Sequence, residues 1–229
     1  TEDGYGLFPN ISLRGVDPGR MSKLTYMEDG VLAAPASYSA PSAYYTPTVG
    51  RMIGLEVLKG SSQIQHGPHT TGGVINYLST PIPHHKSSYL RFSYGTENDT
   101  RLHLWTGDRV DSSVGEFGYL VETYYRETDG FKSIDSTAGF DGSSRDTGFQ
   151  NHDSMLKLSW SPKTENRHYF ELKTGYMDKN ADETYLGLST TDFLQNPNRR
   201  YAASRDDNID TQHFRNYLRY SVALSDNAS

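Results

Sequence analysis

Six stretches after residue 86 alternate apolar and polar residues one by one, and this period of two constrains the fold more than any other feature. In the first stretch Leu90, Phe92 and Tyr94 alternate with Arg91 and Ser93. Successive side chains of a β-strand point to opposite faces, so each stretch predicts a strand with one apolar and one polar face. The other five stretches lie at residues 101–104, 117–126, 156–160, 170–176 and 218–224.

The connections between these predicted strands are unequal in length. Residues 109–115 and 161–166 form short turns, whereas residues 128–153 and 179–210 are long and polar. Several stretches extend over about ten residues, which is enough to cross a bilayer at the usual tilt. Short turns at one end and long loops at the other are typical of outer-membrane barrels. A soluble all-β domain fits the alternation alone equally well.

Charged residues recur on the polar face of these strands, which would face the lumen of a barrel or, in a soluble sandwich, the solvent. They are Arg91, Arg101, Glu122, Arg126, Lys157, Glu171, Lys173 and Arg219.

The composition favours strands and excludes several classes of protein. The chain of 229 residues has 17 Tyr and 21 Gly, although only 34% of its residues are hydrophobic. Disordered chains are poor in aromatic residues, and Tyr with Gly fits strands joined by turns. The net charge of −6 argues against a nucleic-acid partner. The absence of cysteine excludes disulfides and thiolate metal sites.

Six strands are too few to close a membrane barrel, because the smallest such barrels have about eight. An open edge in lipid would leave backbone groups without hydrogen bonds. The sequence also opens without a signal peptide, and it ends in a turn-like segment at residues 225–229. We therefore expect this chain to hold only part of a barrel.

Residues 1–85 differ in amino-acid composition from the rest of the chain and are expected to form a separate domain. They contain 8 of the 10 prolines, and a stiff segment at residues 81–85 separates them from the alternating stretches.

The predicted fold is an all-β membrane barrel, truncated to about six antiparallel strands, with a small mixed α+β domain at residues 1–85. Residues 86–229 would supply the barrel strands. Within the small domain, short strands are predicted at residues 11–14, 24–27, 54–58 and 73–78, with a short helix or turn at 61–65.

Four motifs of the first region occur in a recognisable order. They are Ile-Ser-Leu-Arg-Gly-Val at 11–16, Tyr-Met-Glu-Asp-Gly-Val at 26–31, Ile-Gly-Leu-Glu-Val-Leu-Lys-Gly-Ser-Ser at 53–62, and His-Gly-Pro-His-Thr-Thr-Gly-Gly-Val-Ile-Asn-Tyr at 66–77. The series resembles the plug domain of TonB-dependent outer-membrane receptors. Residues 183–188 and 196–204 are similar to a loop of the ferric-citrate-type receptors in this family.

The resemblance implies a transporter in the outer membrane of a Gram-negative-type bacterium. A plug would fill a large barrel in the lipid bilayer, and TonB, with its inner-membrane energising complex, would move that plug. The expected function is active import of a ferric siderophore or ferric citrate, with the iron carried in the substrate and no resident cofactor. Cobalamin, heme or an oligosaccharide is the alternative cargo. A soluble all-β binding or adhesion module is the alternative from another class.

The resemblance also suggests roles for individual residues. Arg14 and Lys59 stand where the family has cations that pair with barrel glutamates, so they are expected to form a latch between plug and barrel. Lys59 keeps the charge of the commoner arginine but loses its forked geometry. Ligand contacts are expected from the apical surface and the second long loop, at Arg20, Tyr38, Tyr44, Tyr45, Arg199 and Arg200.

Metal and catalytic sites are not expected. His84 and His85 are adjacent, so on a strand they would point to opposite faces. Acidic residues of the first long loop lack the spacing of a calcium loop. The sequence has neither a nucleophile elbow nor a phosphate loop, so we do not expect an enzyme.

Overall fold

A small four-stranded sheet precedes the larger one along the chain. The computed structural model describes residues 7, 11–13, 15, 23–33, 45–60, 65–66, 72–136 and 147–223. The four strands of the small sheet are β1 (Leu24–Glu28), β2 (Val31–Leu32), β3 (Met52–Leu58) and β4 (Gly73–Ser79). Strand β1 pairs in parallel with β4, and the other two contacts are antiparallel, giving the order β2-β1-β4-β3.

Six long strands form the second sheet, in which every contact is antiparallel. The strands are β5 (Ser87–Tyr94), β6 (Thr100–Ser112), β7 (Gly115–Thr128), β9 (Phe149–Pro162), β10 (Arg167–Ala181) and β12 (Ile209–Ala223). Their order is β12-β10-β9-β7-β6-β5, and the sheet is not closed among the described residues. The predicted all-β class with six antiparallel strands is confirmed.

Each of the six predicted stretches lies in one of these strands, the last as far as residue 223. The strands continue into the segments predicted as loops: β9 already begins at Phe149 and β10 ends at Ala181. Polar residues there, such as Gln150 and Asn151, continue the hydrogen-bonded ladder. The polarity of these residues therefore led to the prediction of a loop, although their backbone continues the strand.

The prediction of a strand at 11–14 was wrong for the part that the structure describes. Ile11, Ser12 and Leu13 belong to no strand. Ile11 and Leu13 instead pack as partly buried side chains against the core of the small sheet. Residues 61–64 of the predicted helix or turn lie outside the described residues, and 65–66 form part of a short turn of 3-10 helix.

The two long loops are joined to each other. Strand β8 (Ser133–Ile134) pairs in parallel with β11 (Arg199–Arg200). Helix α1 (Thr190–Gln195) lies between β10 and β11 and is capped by Ser189, whose hydroxyl accepts a hydrogen bond from the Asp192 backbone at 3.1 Å. None of the helices in the described part of the chain has the length and apolarity required to span a membrane.

One face of the six-stranded sheet is apolar and exposed. At the short-turn end a row of four aromatic rings crosses four strands. The distances between neighbouring ring centroids are 6.1 Å for Phe117–Trp160, 5.6 Å for Trp160–Phe170 and 4.9 Å for Phe170–Tyr220. Towards the loop end, Tyr176 and Phe214 are direct cross-strand partners on the same face. The strand register puts six aromatic residues of the sequence pattern on this face: Tyr94, Tyr119, Tyr125, Trp160, Tyr176 and Tyr220.

The opposite face of the large sheet packs against the small sheet. Met177 of β10 joins the core of the small sheet, next to Tyr26, Tyr45 and Ile75. A second apolar cluster forms around Ile82, where the chain leaves the small sheet, and three large-sheet side chains complete it: Trp105, Leu120 and Met155. The small sheet is thereby attached at two separate places.

Close packing at this contact depends on a glycine. A Cβ atom added to Gly107 would lie 2.7 Å from Pro83 Cδ and 2.7 Å from the Tyr119 backbone oxygen. Both neighbours are held rigidly, one by its ring and the other by the sheet. Gly107 therefore allows residues 82–83 to lie directly on β6.

We expect Gly107→Ala to lower the free energy of unfolding by about 1–3 kcal/mol, because overpacking forces the backbone apart. Gly187→Ala is the matched control, since an added Cβ there meets nothing within 4 Å. Thermal unfolding of the purified protein in detergent, followed by circular dichroism, measures both. Equal stability of the two variants would contradict the proposed close contact.

Candidate functional site

A fully buried arginine connects the two sheets. Arg51 is the last residue of the 3-10 turn Val49–Arg51 and is 0% exposed. Its Nη2 donates to Glu28 Oε1 of the small sheet at 2.6 Å, and its Nε donates to Asp153 Oδ2 of β9 at 2.9 Å. Its Nη1 lies 3.8 Å from Glu122 Oε2 of β7. One guanidinium group therefore holds carboxylates from three strands.

Cations of the large sheet in turn pair with carboxylates of the small-sheet region. Lys173 Nζ of β10 donates to Glu28 Oε1 at 2.5 Å and to Asp29 Oδ2 at 2.6 Å. Lys157 Nζ of β9 lies 3.3 Å from Asp29 Oδ2. Arg215 Nη2 of β12 donates to Asp153, and its Nε lies 3.6 Å from Glu28 Oε2.

These ion pairs form a balanced network of four carboxylates and four cations, which we call the buried ion network. Its charges cancel, so no net charge is taken out of water. Breaking one partner would leave another charge buried and uncompensated, which costs about 3–5 kcal/mol. The members are Glu28, Asp29, Glu122, Asp153, Arg51, Lys157, Lys173 and Arg215.

The small-sheet members remain charged. Burial alone would raise the pKa of Glu28, but the charges of Arg51, Lys173 and Arg215 outweigh it and hold the pKa well below its ordinary value. The pKa of Asp29 is lowered in the same way, because Lys173 and Lys157 outweigh its burial. Burial opposes the charge of Arg51, yet the nearby carboxylates of Asp153 and Glu28 raise its pKa.

The Asp-Gly motif of the sequence places two of these carboxylates. Asp29 and Gly30 adopt φ values of 51° and 82°, a conformation that favours Asp, Asn and Gly, and so turn the chain sharply after β1. The turn is fixed because Asp29 Oδ1 accepts from the Ser79 backbone N–H at 2.9 Å, and Gly30 N–H donates to Asn76 Oδ1 at 2.9 Å. The end of β1 therefore presents Glu28 and Asp29 to the large sheet.

A cavity of about 350 Å³ lies beside this network, between the chain at 46–50 and the inner face of the large sheet at its long-loop end. We call it the loop-end pocket. Gly50 lines it, and Arg51 of the buried ion network is the next residue. The described lining residues are Leu7, Thr46, Pro47, Thr48, Val49, Gly50, Arg101, Tyr124, Arg126, Phe149, Asn151, Met177 and Lys179.

Two arginines of the pocket share one carboxylate. Arg101 and Arg126 are direct cross-strand partners on β6 and β7, an arrangement of like charges that is unfavourable by itself. Asp99 relieves it, accepting two bonds from Arg101 at 2.9 and 2.5 Å and two from Arg126 at 3.1 and 2.9 Å. These hydrogen bonds lower the pKa of Asp99. Arg126 also lies over the Phe149 ring, at 4.9 Å from its centroid.

Two buried polar atoms of the pocket lack a hydrogen-bond partner in the described structure: Asn151 Oδ1 and Thr46 Oγ1. The Asn151 amide nitrogen donates to Thr48 Oγ1 at a long 3.4 Å. Buried polar groups are nearly always hydrogen-bonded, so these atoms indicate room for water or a ligand. No acidic side chain is among the described residues that line the pocket.

Four of the residues predicted from the sequence lie outside the described part of the chain: Arg14, Arg20, Tyr38 and Tyr44. Lys59 is exposed immediately after β3. The latch formed by Arg14 and Lys59 therefore stays a prediction.

Tyr45 is described and is buried, with 1% of its surface exposed. Its hydroxyl accepts a hydrogen bond from Arg215 at 2.7 Å, and its ring stacks on His213 at a centroid distance of 3.7 Å. It thus contacts the buried ion network, and its predicted role in ligand binding stays a prediction.

Arg199 and Arg200 both stabilise the long loops. Arg199 Nε lies 2.9 Å from Asp135 Oδ1, and its Nη1 lies 2.5 Å from Asp192 Oδ1. Arg200 is buried and donates to the Ser204 hydroxyl at 2.9 Å and to the backbone oxygen of Asp207 at 3.2 Å. Their predicted contact with a ligand stays a prediction.

The sequence motifs gave no indication of Arg51, although it lies near three carboxylates. The charges at Glu122, Lys157 and Lys173 were recognised as members of the polar face. Their alternation with apolar residues was the available signal, but it could not tell a solvated face from an enclosed one. The structure shows them buried, at 0%, 4% and 2% exposure respectively.

No family model matches the chain. Among solved structures, the ferric enterobactin receptor of Pseudomonas aeruginosa, in complex with enterobactin, matches 80% of this chain with 15% sequence identity and a TM-score of 0.50. The chain has the fold of the matched part of this receptor. It spans 29% of that receptor's length.

Two further solved structures match the chain with lower TM-scores. A ferric citrate transporter in its unliganded form has 18% identity and a TM-score of 0.46, covering 80% of this chain and 35% of its own length. The siderophore receptor PirA from Acinetobacter baumannii has 16% identity and a TM-score of 0.47, covering 73% of this chain and 25% of its own length. This chain thus spans about a third or less of each matched protein.

The described residues include no group of three or more His, Cys, Asp or Glu that could hold a metal ion. The acidic residues near the sheet contact are instead engaged with Arg and Lys.

We expect Arg51→Met to destabilise the protein by about 3–5 kcal/mol, because it leaves buried carboxylates without their cation. Arg205→Met is the control: this side chain is 37% exposed beside Asp206, and an exposed pair contributes only about 0–1 kcal/mol. Chemical unfolding of both variants in detergent gives the comparison. A loss at Arg51 no larger than at Arg205 would show that the network contributes little to holding the sheets together.

Proposed function

We propose that this chain is part of a TonB-dependent outer-membrane transporter that imports an iron chelate, either a ferric siderophore or ferric citrate. One observation carries the proposal. The small sheet is bound by ion pairs to the polar face of long antiparallel strands whose other face is apolar. A soluble sandwich would be expected to enclose its apolar face instead.

The outer face has the properties of a surface that contacts lipid. The eight-residue step on β7 from Phe117 to Tyr125 corresponds to about 26 Å along the strand. At a tilt of about 40° this is about 20 Å along a membrane normal, comparable with the apolar band of outer-membrane barrels. Large apolar residues between the aromatic ends are exposed, among them Val121 at 47% and Leu158 at 42%. This face supports the proposed localisation in the outer membrane.

The small sheet has the properties of a plug. Its apolar core is completed by Met177 of the large sheet. Its most buried charges pair with wall residues such as Asp153 and Lys173. We therefore propose that residues 1–85 form the plug, that residues 86–229 form barrel strands and loops, and that TonB acts on the plug.

The positive charge of the loop-end pocket favours an anionic iron chelate over an uncharged oligosaccharide. The loop-end pocket is lined by Arg101, Arg126 and Lys179, which would attract an anionic chelate. The similar solved structure is named as a receptor for ferric enterobactin. Cobalamin, heme or an oligosaccharide is the second candidate cargo, because the same architecture would serve each of them.

The function is tested by uptake of radiolabelled iron in iron-starved cells that carry the gene for this protein. We expect uptake of at least one chelate, with loss of uptake when TonB is deleted. Ferric citrate and several siderophores are compared. A protein that reaches the outer membrane but imports no iron from any chelate would retain the architecture and exclude iron as the cargo.

If the apolar face contacts lipid, the free-energy cost of placing a charge on it depends on the depth of the substituted residue in the bilayer. Val121 lies midway between Phe117 and Tyr125 on β7, whereas Val110 pairs with Phe117 in the aromatic row. We expect Val121→Arg to cost about 2–4 kcal/mol of folding free energy in lipid vesicles, and Val110→Arg about 0–1 kcal/mol. The folded fraction at increasing denaturant concentration measures both. Equal effects of the two substitutions would argue for a surface that faces water.

A further inference from the structure

We propose that the loop-end pocket binds a small polycarboxylate through Arg101 and Arg126, so that the cargo is recognised by its carboxylates. The inference rests on the proposed function and narrows its substrate class. The site lies between plug and wall, and its described lining does not include Tyr45, Arg199 or Arg200. Nothing in the four sequence motifs predicts it.

The guanidinium groups have donors to spare. Each arginine carries five N–H donors, and Asp99 accepts bonds from only the Nε and Nη2 atoms of each. The described structure gives no acceptor for Nη1 of either Arg101 or Arg126. Two cations share one carboxylate, so this pair of strands presents an excess positive charge to the pocket. Planar guanidinium forks match the geometry of carboxylates.

The rest of the lining supports the same ligand. Thr46 and Asn151 are each 7% exposed, and each has a polar atom that lacks a partner among the described residues. Pro47, Phe149 and Met177 supply apolar surface for a carbon skeleton, which inorganic phosphate does not have. The volume of about 350 Å³ is near the lower end for ligand pockets, so a small molecule is favoured.

The test measures binding of sodium citrate to the whole outer-membrane protein in detergent, by isothermal titration calorimetry at constant ionic strength. We expect Arg126→Gln to weaken citrate binding by about tenfold or more, the usual effect of losing hydrogen bonds to a charged group. Asn151→Asp, which places a carboxylate directly across the strand pair from Arg126, should compete with citrate for that arginine and weaken binding similarly. This second variant keeps the test valid if Arg126→Gln misfolds.

Arg109→Gln is the matched control. Arg109 lies on the inner face of β6 like Arg101, but near the short-turn end, where its Nη1 pairs with Glu116 at 3.1 Å. We expect citrate binding by this variant to stay within about twofold of the parent, since the effect of a distant charge is largely screened.

Three binding results would each overturn the inference: no citrate binding at millimolar concentration, equal weakening by Arg109→Gln, or inorganic phosphate that competes as well as citrate. Iron uptake separates this inference from the proposed function. TonB-dependent uptake that is unchanged in both pocket variants would contradict the pocket and leave the transporter standing. Citrate binding that depends on Arg126, in a protein that supports no TonB-dependent uptake, would contradict the transporter and leave the pocket standing.

Discussion

The structure depends on the burial of one guanidinium group between two sheets. Arg51 is fully buried, and its charge is compensated by Glu28 on one side and by Asp153 and Glu122 on the other. Removing such charges from water is expensive, and their attraction offsets this cost only when the geometry is good and the partners are complete. The ion pairs therefore fix the position of the small sheet more strictly than apolar contacts would. Apolar contacts can slide with little loss, whereas a displaced guanidinium group loses its hydrogen bonds.

The large sheet has to satisfy opposite requirements on its two faces. Its outer face is apolar, and its inner face carries the charges that hold the small sheet. The period of two residues lets a single strand do both: on β9, Lys157 faces inward while its neighbours Leu156 and Leu158 face outward. Low average hydropathy is the direct consequence, since half of the residues are polar although the outer surface is not.

The strands were predictable because alternation is a local property of the sequence. The Asp-Gly turn at Asp29 was predictable for the same reason, since few residues adopt its backbone conformation. The buried ion network was not predictable, because the partners of Arg51 lie 23, 71 and 102 residues away and meet only through the strand register. The loop-end pocket depends on the register as well, since Arg101 and Arg126 face each other only when β6 and β7 pair as observed. Sequence patterns identify which face a charge belongs to, and the fold determines what it meets there.

The parallel pair β8–β11 has a consequence for the entropy of the long loops. Each loop is pinned part of the way along its length, so its chain is divided into shorter segments with fixed ends. The entropy of closing such a segment changes only with the logarithm of its length. Residues could be added between 186 and 188, outside helix α1 and at Gly187, where an added Cβ meets nothing within 4 Å, at small thermodynamic cost. The position of the loops would stay fixed by the ladder, by the buried Arg200 and by the Arg199–Asp192 pair. This exposed part of the loop is thus free to change in shape and chemistry without loosening the loops beneath it.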